Sequence, residues 1–146
     1  MNERVAIYFA PAETAPLWVR ACSWLGRDPA SGEALPQPVP PGMEAMRFED
    51  LTESARRYGF HATLRSPFRL ANGCDRNMLV STMARFAEKT SPVSLGPVEI
   101  RDLFRFLAIM PVAQSRELTA FAAECVARFE TCRAPLSPAE RASRIG

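Results

Sequence analysis

Arg56-Arg57-Tyr58-Gly59-Phe60-His61-Ala62-Thr63-Leu64-Arg65-Ser66-Pro67-Phe68 is the stretch on which the reading of this chain turns. Side chains of a β-strand alternate between its two faces. Read as a strand from Tyr58 to Leu64, stopped by Ser66-Pro67, the segment places Tyr58, Phe60, Ala62 and Leu64 on a face apolar enough to meet a core. His61, Thr63 and Arg65 fall on the opposite face, with Gly59 leaving room beside them. Imidazole titrates near neutrality, a threonine hydroxyl donates to a phosphoryl oxygen, and a guanidinium neutralises its charge. Such a row is a small anion site that also moves protons. The same residues admit a plainer reading, with His61 a surface histidine and Arg65 a solvated strand end.

The flanking sequence alternates strands and helices. Arg4 to Ala10 is short, β-branched and aromatic, and ends at Pro11, as a strand does. By the same alternation Tyr8 faces the cleft with His61. Thr14 and Pro16 open a helix through Leu17, Trp18, Ala21, Cys22 and Leu25, closed by Gly26. Trp18 and Trp24 lie about 120° apart by the helical step of ~100° per residue, which makes one core and the other interfacial. Residues 27–47 carry Pro29, Pro36, Pro38, Pro40 and Pro41 and read as a Pro-rich surface loop. Phe48 to Arg57 reads as a short helix or turn, with Arg56 and Arg57 either steering anions or simply solvated.

Further along, Asn72-Gly73 marks a turn, and Asp75 caps a helix with Leu79, Met83, Phe86 and Ala87 on its apolar face. Val93–Leu95 and Val98–Leu103 read as strands paired around Gly96-Pro97, and Phe106–Pro111 as another strand. Ser115 caps a helix with Leu118, Phe121, Ala122, Cys125, Val126 and Phe129 on one face. The expected fold is α/β in the α+β sandwich sense, one domain over 1–146 with helices packed on a mostly antiparallel sheet. Ser137-Pro138-Ala139-Glu140 is a complete helix opening, with Ser at N-cap, Pro at N1 and Glu at N3. A helix begun there would run only to Gly146, which reads as a C-terminal truncation, the alternative being a complete protein with a short terminal helix.

Composition narrows the function classes. The chain has 146 residues, 47% of them hydrophobic and 23% charged, with a net charge of +2. That balance suits a globular domain and argues against strong nucleic-acid binding. No apolar run is long enough to span a membrane and no signal-peptide pattern opens the chain, so a cytoplasmic protein is expected. Cys22, Cys74, Cys125 and Cys132 lack zinc-like spacing and read as free thiols; neither metal nor cofactor is expected. Of 18 cationic side chains, 17 are Arg, a bias that codon usage produces as readily as phosphate binding does. His61 is the only histidine, so one copy of the chain cannot build a two-histidine mechanism. Neither a Gly-rich phosphate loop nor a dinucleotide fingerprint is present.

Tyr58-Gly59-Phe60-His61-Ala62-Thr63-Leu64-Arg65-Ser66-Pro67-Phe68 resembles the first half-motif of the two-histidine phosphoesterase superfamily. The resemblance narrows to the branch associated with phosphonate-utilisation operons through Arg4 to Pro11, Trp24 to Asp28, Gly32 to Pro38 and Phe129 to Leu136. It implies two pseudo-symmetric lobes, each giving one His-x-Thr strand to a shared cleft, and a phosphodiesterase chemistry that needs no metal. One histidine takes a proton from water, the other protonates the leaving oxygen, and the threonines hold the phosphate. Only the first motif carries over, onto His61 and Thr63 as catalytic residues, with Tyr8, Tyr58 and Arg65 as substrate-binding neighbours; a second His-x-Thr is absent from this chain.

Three functions follow from these residues. The first is a phosphoesterase acting on a small cyclic phosphate or diester, a phosphorylated or phosphonate-derived metabolite, once a full two-lobe site is present. The second is a module that binds a phosphate ester or RNA end without chemistry. The third is an inactive lobe, which would expose apolar surface and self-associate.

Overall fold

Proline and glycine set several of the element boundaries. The structure is a computed structural model describing residues 4–104 and 106–142. The fold is α+β: strands β1 (Arg4–Phe9), β2 (Ala62–Arg69), β3 (Val98–Asp102) and β4 (Leu107–Pro111), with helices α1 (Pro16–Leu25), α2 (Ala45–Tyr58), α3 (Arg76–Lys89), α4 (Arg116–Arg128) and α5 (Pro138–Ala142). The strands form two two-stranded sheets, β1 with β2 and β3 with β4. Among the described residues no helix is long and apolar enough to cross a membrane. The chain divides into two compact units, residues 8–63 and residues 1–7 with 64–146.

In the unit of residues 8–63, α1 starts at Pro16, two residues after the expected Thr14, because the proline ring supplies a helical φ and lacks the N–H that a first turn leaves unpaired. Gly26 ends it at φ 78°, where its N–H reaches the Ser23 carbonyl and that of Arg27 the Cys22 carbonyl, both at 3.1 Å. A Cβ on Gly26 would also lie 2.7 Å from Gln37 Cγ. Residues 26–44 contain no helix or strand beyond the isolated bridge between Arg27 and Ala34. Trp18, Cys22, Leu25, Phe48 and Thr52 are buried here, and Trp24 meets Phe48 edge to face at 4.8 Å. Trp18 is thus the core tryptophan, while Trp24 keeps substantial exposure.

Polar ties hold α2 to the loop before it. Gln37 Nε2 donates to the Trp24 carbonyl at 2.8 Å and to Thr52 Oγ1 at 2.9 Å. Arg56 donates to the carbonyls of Leu25 at 2.9 Å and Glu49 at 2.8 Å, and to Thr52 Oγ1 at 3.0 Å. These bonds satisfy the buried Thr52 hydroxyl, which would otherwise cost free energy. They also settle the role of Arg56, which staples this unit rather than standing in a solvated turn.

The deciding stretch departs from its expected strand. α2 continues to Tyr58 and stops at Gly59, whose φ of 75° and ψ of 179° suit glycine alone. The strand therefore begins at Ala62 and runs through Ser66-Pro67 to Arg69. Pro67 is tolerated because each strand of a two-stranded sheet keeps one free edge, where no N–H is required. Tyr58 and Ala62 are exposed, and Phe68 is the buried residue of β2.

In the other unit, Ile7, Phe68, Leu79, Phe86, Cys125, Phe129 and Cys132 form the core, with Val5, Leu64, Leu70, Cys74, Met83 and Phe121 packed against it. Phe86 meets Phe129 edge to face at 5.5 Å. Asp75 caps α3 by accepting from the Met78 N–H at 2.8 Å, and Ser115 caps α4 by accepting from Leu118 at 3.0 Å. The Ser137–Glu140 capping box forms reciprocally, Ser137 N–H donating to Glu140 Oε2 at 2.7 Å and Glu140 N–H to Ser137 Oγ at 3.2 Å. The expected run of that helix to Gly146 falls on residues outside the described ones.

β3 pairs antiparallel with β4, Ile100 opposite Ile109, rather than with a strand at Val93–Leu95. Residues 91–96 carry no helix or strand, and Pro92 and Pro97 remove two ladder donors around that run.

Candidate functional site

His61 sits in the three-residue connection between α2 and β2. Gly59 bends the chain so that its carbonyl lies 2.9 Å from His61 Nδ1. A carbonyl only accepts, so Nδ1 carries the proton and donates, and in the neutral ring the lone pair belongs to Nε2. Tyr8 stacks on the imidazole with ring centroids 3.9 Å apart and planes 29° from parallel. His61 is half-buried, while Tyr8 is 38% and Tyr58 57% exposed. Thr63 follows on β2 and is exposed. The structure thus joins a tethered imidazole to an aromatic wall, and the exposed Thr63 follows two residues on in sequence.

Gly59 is the residue whose part was least visible in sequence. Besides its positive φ, a Cβ there would stand 2.6 Å from Pro29 Cγ. A glycine directly after a run of helix-compatible residues and before the sole histidine is the signal that points to it. Tyr58 is the last residue of α2, not a member of the strand face. Arg57 lies exposed in that helix's last turn, where a cation suits the helix dipole.

Arg65 belongs to the other unit, and its guanidinium is engaged there. Nη1 donates to the Val126 carbonyl at 2.9 Å, Nη2 pairs with Glu130, and the group lies 5.8 Å from the Phe68 ring centre. Arg133, and after it Arg65, hold the Glu130 carboxyl below the usual carboxylate range. Glu130 and Arg133, three residues apart, were the sequence signal for this cluster. Two concavities, of about 460 Å³ beside Arg85 and Arg128 and about 390 Å³ beside Arg27 and Arg56, are lined by neither His61 nor Thr63. Among the described residues no group of three or more His, Cys, Asp and Glu side chains is placed to hold a metal ion.

An α+β chain with a histidine–threonine pair at the start of a strand is what the geometry defines. The chain belongs to the family described as "Protein of unknown function (DUF1045)", whose profile matches residues 63–145, more than half of its length. It is similar to a protein of Janthinobacterium sp. (strain Marseille) named ribose 1,5-bisphosphate phosphokinase PhnN, 41% identical over 142 residues, 97% of this chain and 31% of the relative. A protein of the same name from Laribacter hongkongensis (strain HLHK9) is 31% identical over 134 residues, 90% of this chain and 31% of that relative. The chain therefore spans about a third of the length of the curated relatives it matches. No solved structure matches.

Proposed function

We propose that this chain carries one half of a two-histidine phosphoesterase site, acting in phosphonate metabolism on a small cyclic phosphate in the cytoplasm. The observation that carries the reading is the His61 Nδ1 bond to the Gly59 carbonyl, which leaves Nε2 as the basic nitrogen two residues before the exposed Thr63. In the reaction, water attacks phosphorus and loses its proton to Nε2, the P–O bond of the ring breaks, and the departing oxygen takes a proton from a second group. Thr63 holds a phosphoryl oxygen, and Tyr8 keeps the imidazole oriented. The second proton-transfer group is not a histidine among these 146 residues, of which His61 is the only one.

The printed name of the two relatives gives ribose bisphosphate as what those proteins phosphorylate, so a cyclic phosphate of ribose is the substrate class we favour. Their kinase activity is not carried over. The single lysine, Lys89, does not stand in the G-x-x-x-x-G-K-[ST] loop that grips nucleotide phosphates. Arg65 enters the proposal only as a brace, since Glu130 already occupies it.

The test is turnover of 2′,3′-cyclic nucleotides and cyclic ribose phosphates by an intact homologous chain that carries a second His-x-Thr, compared with its variants equivalent to His61→Ala and Thr63→Val. A positioned acid or base contributes about 10²–10⁴-fold, and loss of that order in His61→Ala is expected. Equal turnover in all three overturns the assignment. Calorimetric binding without turnover, weakened in both variants, supports instead a phosphate-ester binding module, the reading that the single histidine favours.

A further inference from the structure

The β3–β4 hairpin leaves unusually greasy side chains in water. Every residue of β3 is exposed, Ile100 by 72% and Val98 by 47%, and Ile109 opposite Ile100 is 43% exposed. Val98, Ile100, Leu107, Ile109 and Pro111 share one face by the strand alternation and the register, with Asp102 at its end opposite Leu107. Contiguous apolar surface of this kind marks an interaction site.

The hydrogen-bond phase of the hairpin shows which edge is available. Leu103 and Phe106 exchange both backbone bonds, at 2.7 and 3.2 Å, and Val112 N–H donates to the Pro97 carbonyl at 2.9 Å. Antiparallel pairs alternate between bonded and non-bonded, so Glu99–Met110 and Arg101–Ala108 are the bonded pairs of β3 and β4. The N–H and C=O of Val98 and Ile100 therefore point away from β4, to the edge of β3 that has no neighbouring strand among the described residues. The corresponding edge of β4 includes Pro111, which has no N–H to offer.

We infer that the free edge of β3 pairs antiparallel with β3 of a second copy of this chain, about a two-fold axis at Ile100, to give a continuous four-stranded sheet. The charges specify this register. Placing Ile100 opposite its own copy sets Glu99 opposite Arg101 of the second copy, and Arg101 opposite its Glu99. Ile100 then forms a bonded pair with itself, matching the outward direction of its backbone groups. The Glu99–Arg101 positions fall in non-bonded pairs, where opposed side chains come closest. Within one chain these two already pair at 2.5 Å, so the dimer joins them into a four-charge cluster on the face opposite the isoleucines. A one-residue slip would lose this match and reverse the faces.

Sedimentation velocity of the full chain over a micromolar concentration series tests the inference. A dimer is expected, with Ile100→Lys giving a monomer of unchanged far-UV circular dichroism, since edge lysines oppose strand addition. Arg101→Glu sets like charges opposite each other twice and is expected to weaken the dimer about tenfold, while Glu99→Arg combined with Arg101→Glu restores it to within about threefold. If Ile100→Lys fails to fold, the charge-reversal set decides. A monomer throughout the series overturns the inference, as does a dimer that neither substitution affects or one that the double reversal does not restore.

Discussion

His61 Nδ1 and the Gly59 carbonyl, 2.9 Å apart, fix which nitrogen of the only imidazole is basic. The bond depends on Gly59 holding a φ of 75° against Pro29. Gly59→Ala is expected to destabilise the protein by about 1–3 kcal/mol, because it adds both backbone strain and a close contact. It should also shift the imidazole toward a mixture of tautomers, read as averaged ¹⁵N shifts of the two ring nitrogens. Unchanged stability together with an unchanged tautomer would show that the glycine is not needed there.

The Asp75 and Ser115 caps offer a cleaner test of local energetics. Each side chain accepts from an N–H three residues on, and each opens a long helix. Asp75→Ala and Ser115→Ala should each lower the unfolding free energy by about 1 kcal/mol in urea titration. A loss near zero in both would mean that tertiary packing alone holds these helix starts.

Glu140 supplies an acid-sensitive contact. Arg69 Nη2 donates to it at 2.8 Å and the Ser137 backbone N–H at 2.7 Å, and together they hold its carboxyl down to about 2. A carboxyl whose folded value lies below its ordinary 4.5 stabilises the fold above that value and ceases to do so as the pH falls toward 2. Wild type should therefore be more stable than Glu140→Gln at pH 7, and the gap in urea midpoint should close between pH 4.5 and 2. A gap that does not change over that range would remove the carboxylate from the account.

Cys74 is half-buried yet should react slowly. Its hydrogen bond with the Cys132 thiol, followed by burial, pushes its value up to about 11, so little thiolate exists at pH 8. Native-state alkylation by iodoacetamide is expected to be well below that of a free thiol and to accelerate in Cys132→Ala. Fast labelling of Cys74 in the wild type would contradict this environment.

Local chemistry was the legible part of the fold. Asp75, Ser115 and the Ser137–Glu140 box act within three residues of themselves, so their helix starts could be read from order alone. The strand expected at Tyr58–Leu64 failed for the opposite reason. Its apolar alternation fits a strand, but α2 extends to Tyr58 and Gly59 turns the chain before β2 begins. Arg56 helps hold that helix through the Leu25 carbonyl, 31 residues away in sequence. The pairing of β3 with β4 likewise depended on which partner the prolines left able to donate.

By itself the order of residues determined the α+β class, the caps and the chemistry available at His61 and Thr63, because these follow from side-chain type and near-neighbour spacing. Only the tertiary structure decided that Tyr8 walls the imidazole, that the Gly59 carbonyl selects its tautomer, and that Arg65 serves Glu130. The first and third join residues far apart in sequence, and the second needs the φ of 75° that Gly59 holds against Pro29. Their strength comes from partial burial and fixed geometry, which a linear pattern does not contain.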